Sequence, residues 1–305
     1  MMKRFLTTGL VALLTLQAAT CAHAAAALLK VHTYRSPEGG IFANAYVLEM
    51  AKSLVLVDAT LTESASRDLR KLIDGIGKPL VAVMLTHGHP DHYNGLTNVV
   101  GDSKVPIYAT RGVLDVIEKS DQAKETQWRP VFGAEWPAKR TFPNHVVADD
   151  GKLRIDGLTF RVQAVGAAES DADSLWTVQA GKETIAFIGD IAFNGPHSYT
   201  CDGHTQRWLE VLARVREQAQ RAHWKVVYPG HGAEGGAELL DREADYLRTL
   251  RENVARLGQD GALQVAELAE LKQTLSSRHH AQGLEFLIDN CAPKVLEEMK
   301  AAGSP

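Results

Sequence analysis

The chain has 305 residues, 45% of them hydrophobic, with 33 Lys and Arg against 37 Asp and Glu for a formal charge of −4. That balance argues against a nucleic-acid partner, which demands a basic patch. No repeat, low-complexity tract or block of like charge interrupts the sequence.

Residues 1–24 read as a secretory signal peptide: Lys3 and Arg4, an apolar stretch from Phe5 to about Leu16, then the small-x-small site Ala22-His23-Ala24. The apolar run is shorter than the roughly 20 residues a membrane span needs. A lipoprotein signal at Cys21 is the rival reading, with Thr20 a poor fit before it. Cleavage implies a periplasmic or secreted protein with no membrane span of its own. The 33 basic residues less Lys3 and Arg4 leave 31 against 37 acidic, a charge of −6. The length suits one large domain with an appendage, here residues 25–235 followed by a helical extension over 236–305. Cys201 and Cys291 remain after cleavage. An oxidising compartment permits their pairing, but nothing in the sequence brings them together, and both are expected free.

Leu29 to Tyr34 and Ile41 to Leu48 are strand-like around the turn Ser36-Pro37-Glu38-Gly39-Gly40, and Leu54 to Val57 is a further strand ending at Asp58. Asp58 is either a strand-end structural acceptor or a group that supports a ligand from behind. Glu63 to Ile76 carries Leu69, Leu72, Ile73 and Ile76 at helical spacing, with Gly77 beyond its end. Leu80 to Leu85 is a short apolar run with two valines, a buried strand.

Directly after it stands Thr86-His87-Gly88-His89-Pro90-Asp91-His92, three imidazoles and a carboxylate within six residues. Pro90 keeps the cluster from continuing as strand, so the four side chains share a tight strand-end loop. Imidazole and carboxylate are the N and O ligands of zinc and related divalent ions.

Tyr93 to Val100 reads as a short helix, Val105 to Tyr108 as a strand and Arg111 to Lys124 as a helix. Residues 126–145 hold Trp128, Phe132, Trp136 and Phe142 around Pro130, Pro137 and Pro143 with neither helical nor strand periodicity. This segment is expected to be a long loop, packed on the domain or walling a substrate pocket. Strands follow at Lys152 to Ile155, Leu158 to Val165, Ser174 to Gln179 and Thr184 to Ile188, the last running into Gly189-Asp190. A helix spans Thr205 to Ala222, and the strand Lys225 to Tyr228 leads into Pro229-Gly230-His231-Gly232. From Ala237 the chain is helical: Ala237 to Leu257, Ala262 to Thr274, and Leu284 to Lys300 with a break before Pro293. Two β-rich halves with helices outside make an α+β protein, an αβ/βα sandwich of two mixed sheets in four layers with a helical C-terminal tail.

The His-x-His-x-Asp-His run after a strand, the strand-end Asp190 and the strand-end His231, in that order, resemble the metal motifs of the metallo-β-lactamase fold superfamily. The resemblance covers roughly residues 29–233 and implies the same sandwich. It further implies that one metal takes His87 and His89, a second takes Asp91, His92 and His231, and Asp190 bridges. The histidine that would complete the first site is missing. The loop after Leu158 to Val165 reads Gly166-Ala167-Ala168-Glu169-Ser170-Asp171, with Glu169 in the vacant slot. Asp171 is the alternative ligand, and a site reduced to one metal is a third reading. A carboxylate binds zinc at a similar distance but adds charge and hardness. Two divalent ions are therefore expected, zinc foremost, with manganese or iron admitted by Glu169. Two adjacent cations imply hydrolysis of an ester, lactone, lactam, thioester or phosphoester of a small molecule, with Asp91 as proton shuttle. His197 and Tyr228 are candidate substrate-binding groups, as are Trp128 and Trp136. An iron oxidoreductase acting on oxygen or persulfides is the alternative activity the resemblance allows.

Overall fold

The computed structural model describes residues 29–303, so the expected leader lies outside the described residues. Six strands form one sheet in the order β1 to β6: Lys30–Arg35, Asn44–Glu49, Leu54–Val57, Leu80–Met84, Ile107–Thr110 and His145–Val147. β1, β2 and β3 pair antiparallel, and β3 through β6 run parallel. The second sheet has the order β11-β10-β9-β8-β7. Its strands are β7 Lys152–Ile155, β8 Leu158–Gly166, β9 Asp173–Ala180, β10 Glu183–Asn194 and β11 Trp224–Gly232. Only β10 and β11 are parallel within it. Both sheets are therefore mixed.

Strand alternation builds the layers, because successive side chains point to opposite faces. Tyr46, Leu48, Val55 and Val57 meet Phe160, Val162, Trp176 and Phe187 between the sheets. Ala45, Val47, Leu54 and Leu56 face outward under helices α1 (Glu63–Ile76) and α4 (Arg111–Phe132), with the short helices α2 (Pro90–Tyr93) and α3 (Leu96–Val100) between them. Thr62 caps α1 by accepting from Ala65 N, and Thr110 caps α4 by accepting from Val113 N. The outer face of the second sheet buries Ala186, Ile188 and Val227 under α5 (Thr205–Arg221) and three C-terminal helices: α6 (Glu238–Leu257), α7 (Val265–His279) and α8 (Phe286–Ala301). The result is the four-layer αβ/βα sandwich. No helix among the described residues is long and apolar enough to cross a membrane.

Three expectations are corrected here. The stretch beginning at residue 126 is largely helical: α4 continues through Trp128 to Phe132, and only the part from Trp136 to Asn144 is irregular. Pro130 is tolerated because it falls in the last turn of α4, where few further backbone bonds depend on it. Pro293 likewise lies within α8 and does not break it. β10 does not stop at Ile188 but runs on to Asn194, because β11 follows it, pairing Phe193 with His231. Its register slips on both sides of Gly189, whose φ is +52°, so Asp190 sits in a kinked stretch within a strand.

Cys201 and Cys291 are bonded, contrary to the expectation that both are free. The loop between β10 and α5 packs on α8 and brings the two α-carbons within 4.2 Å. A second fastening lies beside it. Glu298 of α8 accepts from Thr205 N at 3.1 Å, Thr205 Oγ1 at 2.6 Å and Gln206 N at 3.0 Å, supplying the N-terminal cap that His204 does not make for α5.

Candidate metal centre

The motif loop leaves β4 at Thr86 and turns at Pro90 into α2, which puts His87, His89, Asp91 and His92 around one small volume. From the other half of the sandwich, Glu169 arrives on the loop after β8, Asp190 on β10 and His231 near the end of β11. All seven are buried. Two groups result, His87, His89 and Glu169 in one, and Asp91, His92, Asp190 and His231 in the other. The potential ligand atoms within each lie within 4.8 Å of one another. Asp190 reaches both, its carboxylate standing 3.9 Å from His87 Nε2 and 3.4 Å from both His92 Nε2 and His231 Nε2.

Each imidazole has one nitrogen engaged from behind and the other facing the cluster. Thr86 Oγ1 donates to Asp58 Oδ2 at 2.8 Å, so it accepts from His87 Nδ1 at 3.0 Å. His92 Nδ1 donates to Asp58 Oδ2 at 2.9 Å, and His231 Nδ1 to the Ile41 carbonyl at 3.0 Å. His89 is inverted. Its Nε2 meets Asp202 Oδ2 at 3.0 Å, and its Nδ1 faces Glu169 at 2.9 Å. Asp58, left open between two roles in the sequence, thus fixes His92 directly and His87 through Thr86, and it does so at φ +59°.

The electrostatics show what the site lacks. Burial raises the Glu169 carboxyl well above its ordinary range, with His89 opposing. Burial also opposes ionisation of Asp190, but His231, His92 and His87 outweigh it and hold that carboxyl low. His231 is pushed to about 9, Asp190 overriding the burial that would lower it. Burial pulls His87 down, reinforced by His92. His87 Nε2, His92 Nε2, both Glu169 oxygens and Asp190 Oδ1 have no hydrogen-bond partner although fully buried. Buried polar atoms are normally satisfied, and three carboxylates in so small a space are costly unless compensated. Divalent cations answer both deficits, and the donor set of imidazole nitrogens and carboxylate oxygens suits them. Close packing also depends on Gly230, where a Cβ would stand 1.8 Å from Asp190 Oδ1.

This arrangement and the fold around it agree with a family match over residues 39–231 to the metallo-beta-lactamase superfamily. The chain belongs to that superfamily, whose members are metallo-hydrolases. A curated relative, the linear primary-alkylsulfatase of Pseudomonas sp, is 24% identical over 249 residues, covering 68% of this chain. The match spans only 36% of that relative's length. Among solved structures, the metallo-beta-lactamase from Pontibacter korlensis aligns with a TM-score of 0.58 at 19% identity, over 73% of this chain and 95% of its own. The DIM-1 metallo-beta-lactamase gives 0.54 at 18% identity, over 73% and 94%. These structural likenesses show a shared fold.

The clusters open onto a pocket of about 80 Å³ that is open to solvent. Ile41, Leu61, Trp128, Phe132, Trp136 and Phe193 line it together with Leu284 and Leu287 from the C-terminal segment. Both candidate tryptophans thus face the pocket, and Trp136 is also packed into the protein beneath the Arg140 guanidinium. Asp171 lies outside the clusters, exposed and bound to His204 and Lys119. Two further candidates do not reach the pocket. His197 is buried among the tail helices, hydrogen-bonded to Tyr246 and Ser276. Tyr228 stacks on Phe187 at 5.0 Å beside Tyr46, because its position on β11 points it between the sheets. Lys124, Tyr199 and Asp202 were not legible in the sequence; they carry no motif, and only the fold brings them to His89.

Proposed function

We propose that the protein is an exported hydrolase that uses two divalent ions, bound by His87, His89 and Glu169 and by Asp91, His92, Asp190 and His231, to cleave an ester joining an anionic group to an apolar one. The observation that carries this reading is the combination of paired, unpartnered ligand clusters with an apolar pocket whose lining among the described residues includes one lysine, Lys124, and no arginine. The ions would supply Lewis-acid polarisation and a more acidic water. The protein's own part follows from its side chains. Asp91 lines the pocket with one oxygen 3.1 Å from His231 Nε2 and 3.3 Å from His92 Nε2, placed to hold or take a proton at its carboxylate. Trp128, Phe132, Leu284 and Leu287 exclude water from an alkyl or aryl group. Lys124 Nζ donates only weakly to Tyr199 Oη, at 3.4 Å, and lies over that ring, leaving its charge for an anionic oxygen of the substrate.

The name of the Pseudomonas relative makes alkyl sulfates the first substrates to try. Zinc is the first metal to try, then manganese and iron, because Glu169 hardens the first site. No observation favours oxygen or persulfide chemistry over hydrolysis. The Cys201–Cys291 bridge supports export, since disulfides persist in oxidising compartments. The test is a panel of medium-chain alkyl sulfates, neutral esters, lactones and β-lactams with the zinc- and manganese-loaded protein. Alkyl sulfates are expected to be cleaved with a KM that rises in Lys124→Ala, while neutral esters are indifferent to that change. Turnover of neutral lactones or lactams alone would refute the proposal.

A further inference from the structure

Three of the four clustered imidazoles are held from behind by groups from the first half of the chain: Thr86, Asp58 and the Ile41 carbonyl. His89 is held differently. Its support, Asp202, lies 113 positions away on the loop between β10 and α5. That carboxylate accepts from His89 Nε2 through one oxygen and from Tyr199 Oη through the other, at 3.1 Å. The edge of the Tyr199 ring also meets the His89 ring, with centroids 5.0 Å apart.

The loop is in turn fastened to the C-terminal helices. Cys201, next to Asp202, is bonded to Cys291 of α8. Gly195 O accepts from Gln282 N at 2.8 Å, and His197 N donates to Gly283 O at 3.1 Å. We propose that Asp202 is the positioning residue for His89, and that the Cys201–Cys291 bridge holds it there, so that the helical tail sets how tightly the first of the two ions is bound. The inference rests on the reading of the clusters as metal sites.

The chemistry is that of a carboxylate behind a ligating imidazole. With Nε2–H donated to Asp202, the lone pair of Nδ1 is directed at the space shared with Glu169, and the negative charge behind the ring makes that nitrogen a better donor. Among the described residues no hydrogen bond ties the ligands of the second cluster to this loop, whose Tyr199 and Cys201 meet it only through packing beside Ile41. Damage to the Asp202 support should therefore show as loss of one ion and not of both.

The experiment uses the full mature chain loaded with zinc and dialysed against a weak chelator, with zinc per chain followed over time and circular dichroism recorded beside it. Removing such a support weakens metal binding by about 10–100-fold. Asp202→Ala is expected to release one ion that much more readily while the other leaves at the wild-type rate. Asp202→Asn should fall between, because an amide oxygen still accepts the N–H but carries no charge. The double variant Cys201→Ser, Cys291→Ser should reproduce the selective loss with its secondary structure intact. Wild-type retention of both ions in Asp202→Ala overturns the role of Asp202. Retention of both in the double-serine variant, or their simultaneous loss together with the dichroism signal, overturns the role of the bridge. His231→Ala serves as the control that should lose the other ion. A wild-type protein that takes up no zinc would defeat the metal-site reading itself, a result distinct from these.

Discussion

Replacing Gly230 by alanine tests how closely the centre is packed without touching a ligand. A Cβ there would lie 1.8 Å from Asp190 Oδ1, 3.0 Å from its carboxyl carbon and 2.9 Å from His92 Cε1. Non-bonded heavy atoms settle near about 3.5 Å, so the Asp190 carboxylate has to retreat by well over about 1 Å. Metal–ligand distances hold to within about 0.2 Å, and about 1 Å of misplacement costs about 100-fold in rate. Position 230 does not have the left-handed backbone conformation that penalises a side chain, so the fold should survive. Gly230→Ala is expected to keep its circular dichroism spectrum and lose the ion at Asp91, His92, Asp190 and His231, with turnover down at least about 100-fold. Metal analysis after gel filtration, read beside initial rates, gives the answer. A variant that retains both ions and wild-type turnover would show that Asp190 is not where the reasoning needs it.

Glu169→Gln should lose one ion selectively, Glu169→His should restore it with a shift toward zinc, and Asp171→Asn should do neither; metal stoichiometry of the three variants separates them. Trp136→Ala, at a site 2% exposed, should lower stability by about 3–5 kcal/mol. Trp128→Ala, half-buried on the pocket wall, should instead change relative rates on long and short substrates, so chemical denaturation and a chain-length series should respond to different variants. Buried Glu243, which accepts from Phe193 N and Ser198 Oγ, is pushed up to about 7 by desolvation. Its folded-state value lies above the unfolded one. The stability it contributes is therefore fully present below about 4.5 and lost as pH rises through about 7, worth up to about 3 kcal/mol. Glu243→Gln stays neutral, so its stability should decline less than wild type between pH 5 and pH 8 in parallel melts.

The loops that carry the candidate ligands were legible in the sequence because each follows an apolar strand and carries its chemistry in consecutive residues. Thr86 to His92 and Pro229 to Gly232 are such runs, and Glu169, which joins His87 and His89, was singled out by its place on a loop where an imidazole was missing. What the sequence hid depends on contacts between distant segments. Trp128 and Phe132 looked irregular because Pro130 masks the last turn of a helix. The true length of β10 was invisible because its outer part exists only as a partner for β11. Asp202 sits in a loop without pattern and Lys124 is one of two lysines on an ordinary helix, and the Cys201–Cys291 pairing needs the tail folded onto the sheet before it has any geometry. His197 and Tyr228 were misjudged for one reason: nearness to a ligand along the chain does not determine which way a side chain points.

The part played by Leu284 and Leu287 separates chemistry from choice of substrate. Every candidate ligand lies between residues 87 and 231, whereas of these two pocket-lining leucines Leu284 comes from the connection leading into α8 and Leu287 from the first turn of that helix. Substitutions in that connection can reshape what enters the pocket while the ligands stay untouched. The helix that carries Leu287 is tied down by Glu298 and the disulfide. Variation confined to Leu284 and Leu287 is thus a route to new specificity that leaves both the ligands and the fastenings at Gln282, Gly283 and Cys291 in place.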